Sequence, residues 1–379
     1  MEIKNRQAVQ RRGMYIEESQ MNQEQRDIID AKGDVSYIVQ GCAGSGKSCL
    51  ALLKAIRLEQ MRPRPRYYFV TFFQLLSKVL KGEMEYAKAG GYQVMTFKEW
   101  EKNHVEADYI LVDECQDLSL ENIIELNNSK RRALFLYGDD TQQIMDFIKN
   151  RRPVALKRIR TELNLPVFKL RLNYRLPKKV ALFAQQISGR RDLYDHCQNE
   201  GGNKPYVVRV SRDPAEQARL IAEIVRDKFH FQNVGVLCRS NEDVKKLYKA
   251  WSEQSLGVSV SAKWWIKKKD NNGYGPFAFY GNSRRRFRDD IDSSELADTT
   301  VQIMTCHQAK GLQFEAVFLL SWPDLKDELE VNCYYVAVTR TYNSLFVFYT
   351  DRLPSVVDNI PREYYNNSLA SSQENILQV

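Results

Sequence analysis

Seven cysteines are present without a single C-x-x-C pair, and their irregular spacing suggests neither a zinc site nor a disulfide framework. No apolar run approaches the ~18 residues that a membrane-crossing helix needs. No apolar core stands behind Met1-Glu2-Ile3-Lys4-Asn5-Arg6 to form a leader. These absences argue against a disulfide scaffold, a zinc module or a membrane span. They support the expectation of a reduced, cytoplasmic protein with no membrane partner. What is present is a chain of 379 residues, 43% hydrophobic, long enough for two ordinary domains with cores of their own. The formal net charge is +8. The basic residues cluster at Arg62-Pro63-Arg64-Pro65-Arg66, Lys149-Asn150-Arg151-Arg152, Lys267-Lys268-Lys269 and Arg284-Arg285-Arg286-Phe287-Arg288. Such runs are usually solvated faces, but several in one chain point towards a polyanionic partner.

The most informative stretch is Gly41-Cys42-Ala43-Gly44-Ser45-Gly46-Lys47-Ser48, a complete G-x-x-x-x-G-K-S phosphate loop. Its glycines let the backbone curl and turn N–H groups inward, Lys47 reaches the β- and γ-phosphates, and Ser48 ligates Mg²⁺. Ser36–Gln40 reads as a strand leading in. Cys49–Gln60 carries Leu50, Leu53, Ile56 and Leu58 at helical spacing, so the phosphates would sit at a helix N-terminus. The expected nucleotide contacts are therefore Gly41, Ala43, Gly44, Ser45, Gly46, Lys47, Ser48 and Cys49.

A second block, Ile110-Leu111-Val112-Asp113-Glu114-Cys115-Gln116-Asp117, is an apolar strand ending in paired carboxylates. Asp113 suits a Mg²⁺ ligand, and Glu114 suits the base that orients and deprotonates the attacking water. A third, Leu136-Tyr137-Gly138-Asp139-Asp140-Thr141-Gln142-Gln143-Ile144, ends a strand where the Gln142 amide could hold that water and sense the γ-phosphate.

Strands and helices alternate along both halves, which argues for an α/β fold with parallel sheets covered on both faces. Expected strands are 37–40, 67–71, 109–113, 133–138 and 167–170 in the first half. Those of the second are 206–210, 234–238, 301–305, 316–320 and 345–349. The second half has no phosphate loop, so the boundary is expected near Leu170, giving domains 1–170 and 171–352 and a polar tail, 353–379, expected to be disordered. Residues 263–298 read as a mostly irregular insertion that could bind DNA or protein. For Trp264 and Trp265 within it, core, base-stacking and interface roles stay open, with core ranked first.

Taken in order, these blocks resemble the UvrD/Rep/PcrA group of superfamily 1 DNA helicases. Met21-Asn22-Gln23-Glu24-Gln25 is similar to the adenine-reading Q motif, with Gln25 as the base-pairing amide. Tyr68-Phe69-Val70-Thr71-Phe72 is similar to motif Ia, whose Thr71-Phe72 pair would touch single-stranded DNA. Asp113-Glu114-Cys115-Gln116-Asp117 matches the D-E-x-Q-D form of the second phosphate motif, and the block at 138–144 matches motif III. Asn173-Tyr174-Arg175 resembles motif IV. Met304–Phe314 resembles motif V, with Thr305 and His307 as DNA contacts and Gln313 near the ribose. Tyr335–Arg340 resembles motif VI. The resemblance implies two RecA-like P-loop NTPase domains with ATP in the interdomain cleft, arginine fingers at Arg175 and Arg340, and a 3′–5′ ATP-dependent helicase working on single-stranded DNA. Several positions depart from the family. Gln313 replaces its usual Glu, Phe147 stands where it usually offers Trp, and motif Ia continues as Phe73-Gln74-Leu75-Leu76-Ser77. The intervals 75–105 and 176–300 leave no room for its full accessory subdomains. That shortage keeps open a second reading, a DNA-sensing ATPase switch that licenses a protein partner such as a nuclease or a repair or defence subunit. RNA in place of DNA is also open.

Overall fold

Between residues 37 and 137 the strand residues sort by parity. Tyr37, Val39, Tyr67, Phe69, Tyr109, Leu111, Ala133, Phe135 and Tyr137 enter one buried cluster. Ile38, Val70, Ile110, Val112, Leu134 and Leu136 enter another. Successive strand side chains face opposite sides of a sheet, so an uninterrupted apolar run requires a sheet covered on both faces. The structure, a computed structural model, has that arrangement. It describes residues 18–31, 33–90, 93–103, 105–144, 152–189, 193–270, 273–282, 300–322 and 324–369, with backbone alone from 265 to 270 and from 273 to 282. The chain divides into two compact units, Met1–Tyr174 and Arg175–Val379.

In the first unit the elements run α1 (Gln23–Ile29), β1 (Tyr37–Gly41), α2 (Lys47–Gln60), β2 (Tyr67–Thr71), α3 (Gln74–Tyr86), β3 (Val94–Thr96), α4 (Phe97–Asn103), β4 (Ala107–Asp113), α5 (Leu120–Asn128), β5 (Lys130–Gly138), α6 (Leu156–Leu163) and β6 (Val167–Leu170). The six strands form one parallel sheet in the order β3-β2-β4-β5-β1-β6. β1 is an inner strand, and the phosphate loop leaves its C-terminal end. β4 and β5 end near it in register, with Val112 opposite Leu136 and Val39 opposite Tyr137. Ligands of open α/β sheets bind beyond these C-terminal strand ends.

β7 (Asn173–Pro177) and β8 (Cys197–Asn199) form a two-stranded sheet on either side of α7 (Lys178–Ser188). Then follow β9 (Tyr206–Arg209), α8 (Pro214–Glu223), β10 (Val234–Cys238), α9 (Asn241–Ser252), β11 (Val260–Asp270), β12 (Gly273–Asn282), β13 (Val301–Thr305), α10 (Cys306–Ala309), β14 (Phe314–Leu320), α11 (Glu328–Val338), β15 (Thr341–Tyr349) and α12 (Ser355–Asp358). The seven-stranded sheet has the order β12-β11-β13-β10-β14-β15-β9 and is parallel except for the β11–β12 hairpin. Its core stacks Phe318 on Phe346 at 4.4 Å and Tyr206 on Phe346 at 4.9 Å between ring centroids.

The first compact unit runs to Tyr174, beside the boundary expected near Leu170, and its end is tied back. Arg171 pairs with Glu24 at 2.6 Å, and the Tyr174 amide donates to the Gly44 carbonyl at 3.0 Å. The insertion is not irregular throughout: Val260–Asp270 and Gly273–Asn282 pair as the hairpin, and 271–272 and 283–299 lie outside the described residues. Trp264 is core, its ring 5.9 Å from that of Tyr248, whereas the Trp265 side chain lies outside the description. The start of the tail is packed, with Val357, Ile360 and Tyr365 buried and Val207 donating to the Asn366 carbonyl at 2.7 Å. Residues 370–379 lie outside the description. The structure also joins Cys306 to Cys333 in a disulfide across 27 residues of sequence, against the expectation of none. The chain between them makes a β-strand and returns α11 beside α10, a juxtaposition that spacing does not encode.

Candidate functional site

The phosphate loop is shaped before any nucleotide is considered. Gly44 and Gly46 take positive φ values of 77° and 94°, and Gly46 caps the 14-residue helix α2. A side chain at Gly46 would be strained in that conformation and would meet the Gln25 amide nitrogen at 3.0 Å. Lys47 is buried and folded back over the loop, its Nζ donating to the carbonyls of Gly41 at 2.7 Å and Cys42 at 3.0 Å. A phosphate oxygen would offer this ammonium a charged acceptor in place of neutral carbonyls. The Ser45 hydroxyl is buried and makes no hydrogen bond. Ala43 is buried in the loop, Gly44 is half-buried, and Cys49 packs on the core from the first turn of α2.

Asp113 ends β4 with Thr71 as its neighbour across the β2 pairing. Burial, and then the charge of Glu114, push the Asp113 carboxyl up to about 7, against the pull of a hydrogen bond from Ser48 and the charge of Lys47. Its Oδ2 is buried without a hydrogen-bond partner. A buried carboxylate oxygen left unmatched, beside a serine hydroxyl at the mouth of a phosphate loop, is a donor set that fits Mg²⁺. Glu114 takes φ 55°, the left-handed region that a non-glycine residue enters at a cost of roughly 1–3 kcal/mol.

Glu114 is linked to the end of β5. The Gln116 Nε2 donates to Glu114 Oε2 at 2.5 Å, and Gln116 Oε1 accepts the Asp139 backbone N–H at 3.1 Å. Asp139 in turn accepts from Gln142 Nε2 at 2.8 Å and from Thr141. Gly138 permits this approach, because a Cβ there would meet Gln116 Oε1 and Cys115 Sγ at 2.8 Å each. Glu114, Gln116, Asp139 and Gln142, at the ends of β4 and β5, thus form one buried network. Sequence reasoning assigned Gln116 to a motif without seeing it as the connector.

Gln25 is buried. Its Oε1 accepts the Asn22 N–H at 3.1 Å in a capping box that starts α1, and its Nε2 lies 3.5 Å from the Ser45 carbonyl. The same Asn22 donates through Nδ2 to the Tyr174 hydroxyl at 2.6 Å. Tyr174, 41% exposed and anchored on Gly44, is an aromatic face beside the phosphate loop that sequence reasoning passed over. Its exposure could have found it only with the fold in hand.

Other expectations are redistributed. Thr71 has no exposed surface, so of the Thr71-Phe72 pair only half-buried Phe72 reaches solvent. Phe147 lies outside the described residues. In the second unit Thr305 is buried and caps α10, its N–H and hydroxyl donating to Gln308 Oε1 at 3.0 and 3.2 Å. The Thr305 hydroxyl is thus held in the helix cap, and His307 two residues on is half-buried. Arg175 and Gln313 are brought together, Nε donating to Oε1 at 3.1 Å. Arg340 is 1% exposed and folds onto the end of its own helix, Nε donating to the Val336 carbonyl at 2.9 Å.

Two family models match the chain. That of the viral superfamily 1 RNA helicase core domain covers residues 37–240, more than half of the chain. The chain belongs to the superfamily 1 helicases. The UvrD-like helicase C-terminal domain matches residues 283–352. No curated protein matches. A solved structure, the C-terminal domain of a possible DNA helicase from Lactobacillus plantarum WCFS1, is 17% identical, covers 51% of this chain and 98% of its own, and has a TM-score of 0.35. The phosphate loop, the Asp113-Glu114 pair and the Gln142 block of this superfamily 1 helicase lie within the larger match. Among the described residues no helix is long and apolar enough to cross a membrane.

Proposed function

We propose that this superfamily 1 helicase is an ATP-driven motor that moves 3′–5′ along single-stranded DNA. The network from Glu114 through Gln116 to Asp139 and Gln142 carries the reading, because it couples a carboxylate base to a phosphate sensor. Lys47 and the loop amides grip the β- and γ-phosphates, with Gly41, Ala43, Gly44, Ser45, Gly46 and Cys49 forming the walls. Tyr174 offers a stacking face to the adenine, and the Gln25 amide donates to its edge. Asp113 and Ser48 hold Mg²⁺, which supplies charge neutralisation at the phosphates. Glu114 accepts the proton of the attacking water, and Gln142 orients that water. Arg175 and Arg340 stabilise the charge that develops on the transferred phosphoryl group, and Gln313 positions Arg175 or meets the ribose. Single-stranded DNA is drawn over Phe72, Phe147 and His307, where stacking contributes ~1–3 kcal/mol per base.

Nothing in the comparisons supports the partner-regulating switch. A strand-displacement assay run beside DNA-stimulated ATPase tests the motor. We expect ATP-dependent displacement from a 3′ single-stranded tail and none from a 5′ tail. ATP hydrolysis with displacement from neither tail would sink the motor, and stimulation by RNA alone would redirect the substrate.

A further inference from the structure

Cys306 is the first residue of α10, directly after Thr305, and Cys333 lies in α11, the helix that leads to Arg340. Their Cα atoms are 6.5 Å apart, within the usual span of a disulfide. Two further observations single out the pair. The Cys306 sulfur also lies 3.0 Å from the Cys333 carbonyl oxygen, so a reduced Cys306 thiol has an acceptor in place and the site accommodates the dithiol as well as the disulfide. The third member is His307: one imidazole nitrogen and both sulfurs all lie within 4.8 Å of one another. An imidazole at that range is placed to take a thiol proton and so raise the thiolate fraction.

We propose that Cys306, Cys333 and His307 form a thiol–disulfide switch that locks the motif V segment to the helix preceding Arg340 and turns the motor down on oxidation. The regulatory half rests on the motor reading above. The oxidant is a low-molecular-weight disulfide of the glutathione class. Cys333, 7% exposed against 1% for Cys306, is the sulfur that is reached first. Its thiolate, having given its proton to His307, attacks one sulfur of the small disulfide. The first small thiolate leaves and takes that proton. Cys306 then attacks the Cys333 sulfur of the mixed disulfide and expels the second small thiolate, which takes the Cys306 proton. Two protein thiols are oxidised and one small disulfide is reduced to two thiols. In the disulfide form α10 and α11 are covalently fixed, so His307 cannot shift relative to the end of α11. In the dithiol form the Cys306 hydrogen bond to the Cys333 carbonyl takes the place of the covalent link.

The test equilibrates the full chain in oxidised or reduced glutathione and reads three quantities: the cross-linked peptide by mass spectrometry, hydrogen exchange across residues 306–313 and 328–340, and ATPase with and without single-stranded DNA. We expect the link in oxidised protein, slower exchange of both segments, and a roughly fivefold or greater loss of DNA stimulation that thiol reduction restores. Cys333→Ser, or Cys333→Ala should the serine fold poorly, is expected to stay active and ignore the oxidant. Absence of the link, zinc retained stoichiometrically by the three side chains, or equal DNA stimulation in both forms overturns the switch while leaving the motor intact. If neither form hydrolyses ATP the motor reading fails, and exchange decides the switch: equal protection in both forms overturns it.

Discussion

Asp113 and Glu114 are adjacent buried carboxylates, and their proximity makes pH a probe of the site. Asp113 titrates at about 7 in the folded chain against an ordinary 3.8, so between these values the folded state binds more protons than the unfolded one. Stability must then fall, not rise, as pH climbs through that window. The sign is opposite to that of a salt-bridged carboxylate. Asp113→Asn removes the penalty. Urea unfolding without nucleotide or metal should show the variant gaining on the parent by the order of a few kcal/mol between pH 4 and 7. A parallel pair of curves would show that Asp113 ionises freely. Two neighbours separate binding from chemistry. Lys47→Ala should abolish turnover, since a phosphate-gripping cation is lost. Glu114→Gln should retain ATP while turnover falls at least ~100-fold, because only the proton acceptor is removed. Near-normal turnover in the glutamine variant would take the base assignment away from Glu114.

At the level of strands and helices, what was legible follows from burial. β1, β2 and β4 bury both faces, so Tyr37–Gly41 or Tyr67–Thr71 announces itself as a short apolar run. β3, three residues long, carries no such run, and the lysines, Gly273, Gly275 and Pro276 of the β11–β12 hairpin hide its pairing. The site was legible where a motif specifies chemistry, as at Lys47 or Glu114. It was illegible where a side chain's use depends on its neighbours. Thr71 and Thr305 are short polar residues at strand ends, and only the fold reveals that one is sealed in and the other caps a helix. Gln116 is the clearest case, because its two partners come from different strands. Gln116→Ala should leave ATP affinity near normal and lower hydrolysis about a hundredfold, since Glu114 and Asp139 lose their common tie. Equal losses in binding and hydrolysis would make it a folding residue instead. In the second unit Phe346 stacks on both Phe318 and Tyr206. Phe346→Ala should cost ~3–5 kcal/mol of stability in a denaturant titration, and a loss below ~1 kcal/mol would mean that the ring cluster is not the keystone of that sheet.

For the whole chain the question is why a helicase needs two α/β units when one carries every phosphate-loop residue. The first unit carries Lys47, Asp113, Glu114 and Gln142, the residues proposed above to hold and hydrolyse the nucleotide. The second has no phosphate loop but brings Arg175, held by Gln313, and Arg340, held on the end of α11. Guanidinium groups supplied from a separate body add little to ground-state binding and much to the transition state, where charge spreads over the phosphoryl oxygens. On the proposed reading, this division would make hydrolysis conditional on the second unit. Arg340→Ala should therefore lower turnover by roughly 10³-fold while nucleotide affinity stays within a few-fold of the parent. Fluorescent-nucleotide titration and steady-state ATPase on the same preparation would measure both. Arg340 is buried, so thermal unfolding must accompany them to exclude simple loss of folding. If affinity fell in step with turnover, Arg340 would belong to the binding of ATP itself, and the second unit would be part of the nucleotide site at rest rather than the trigger of its hydrolysis.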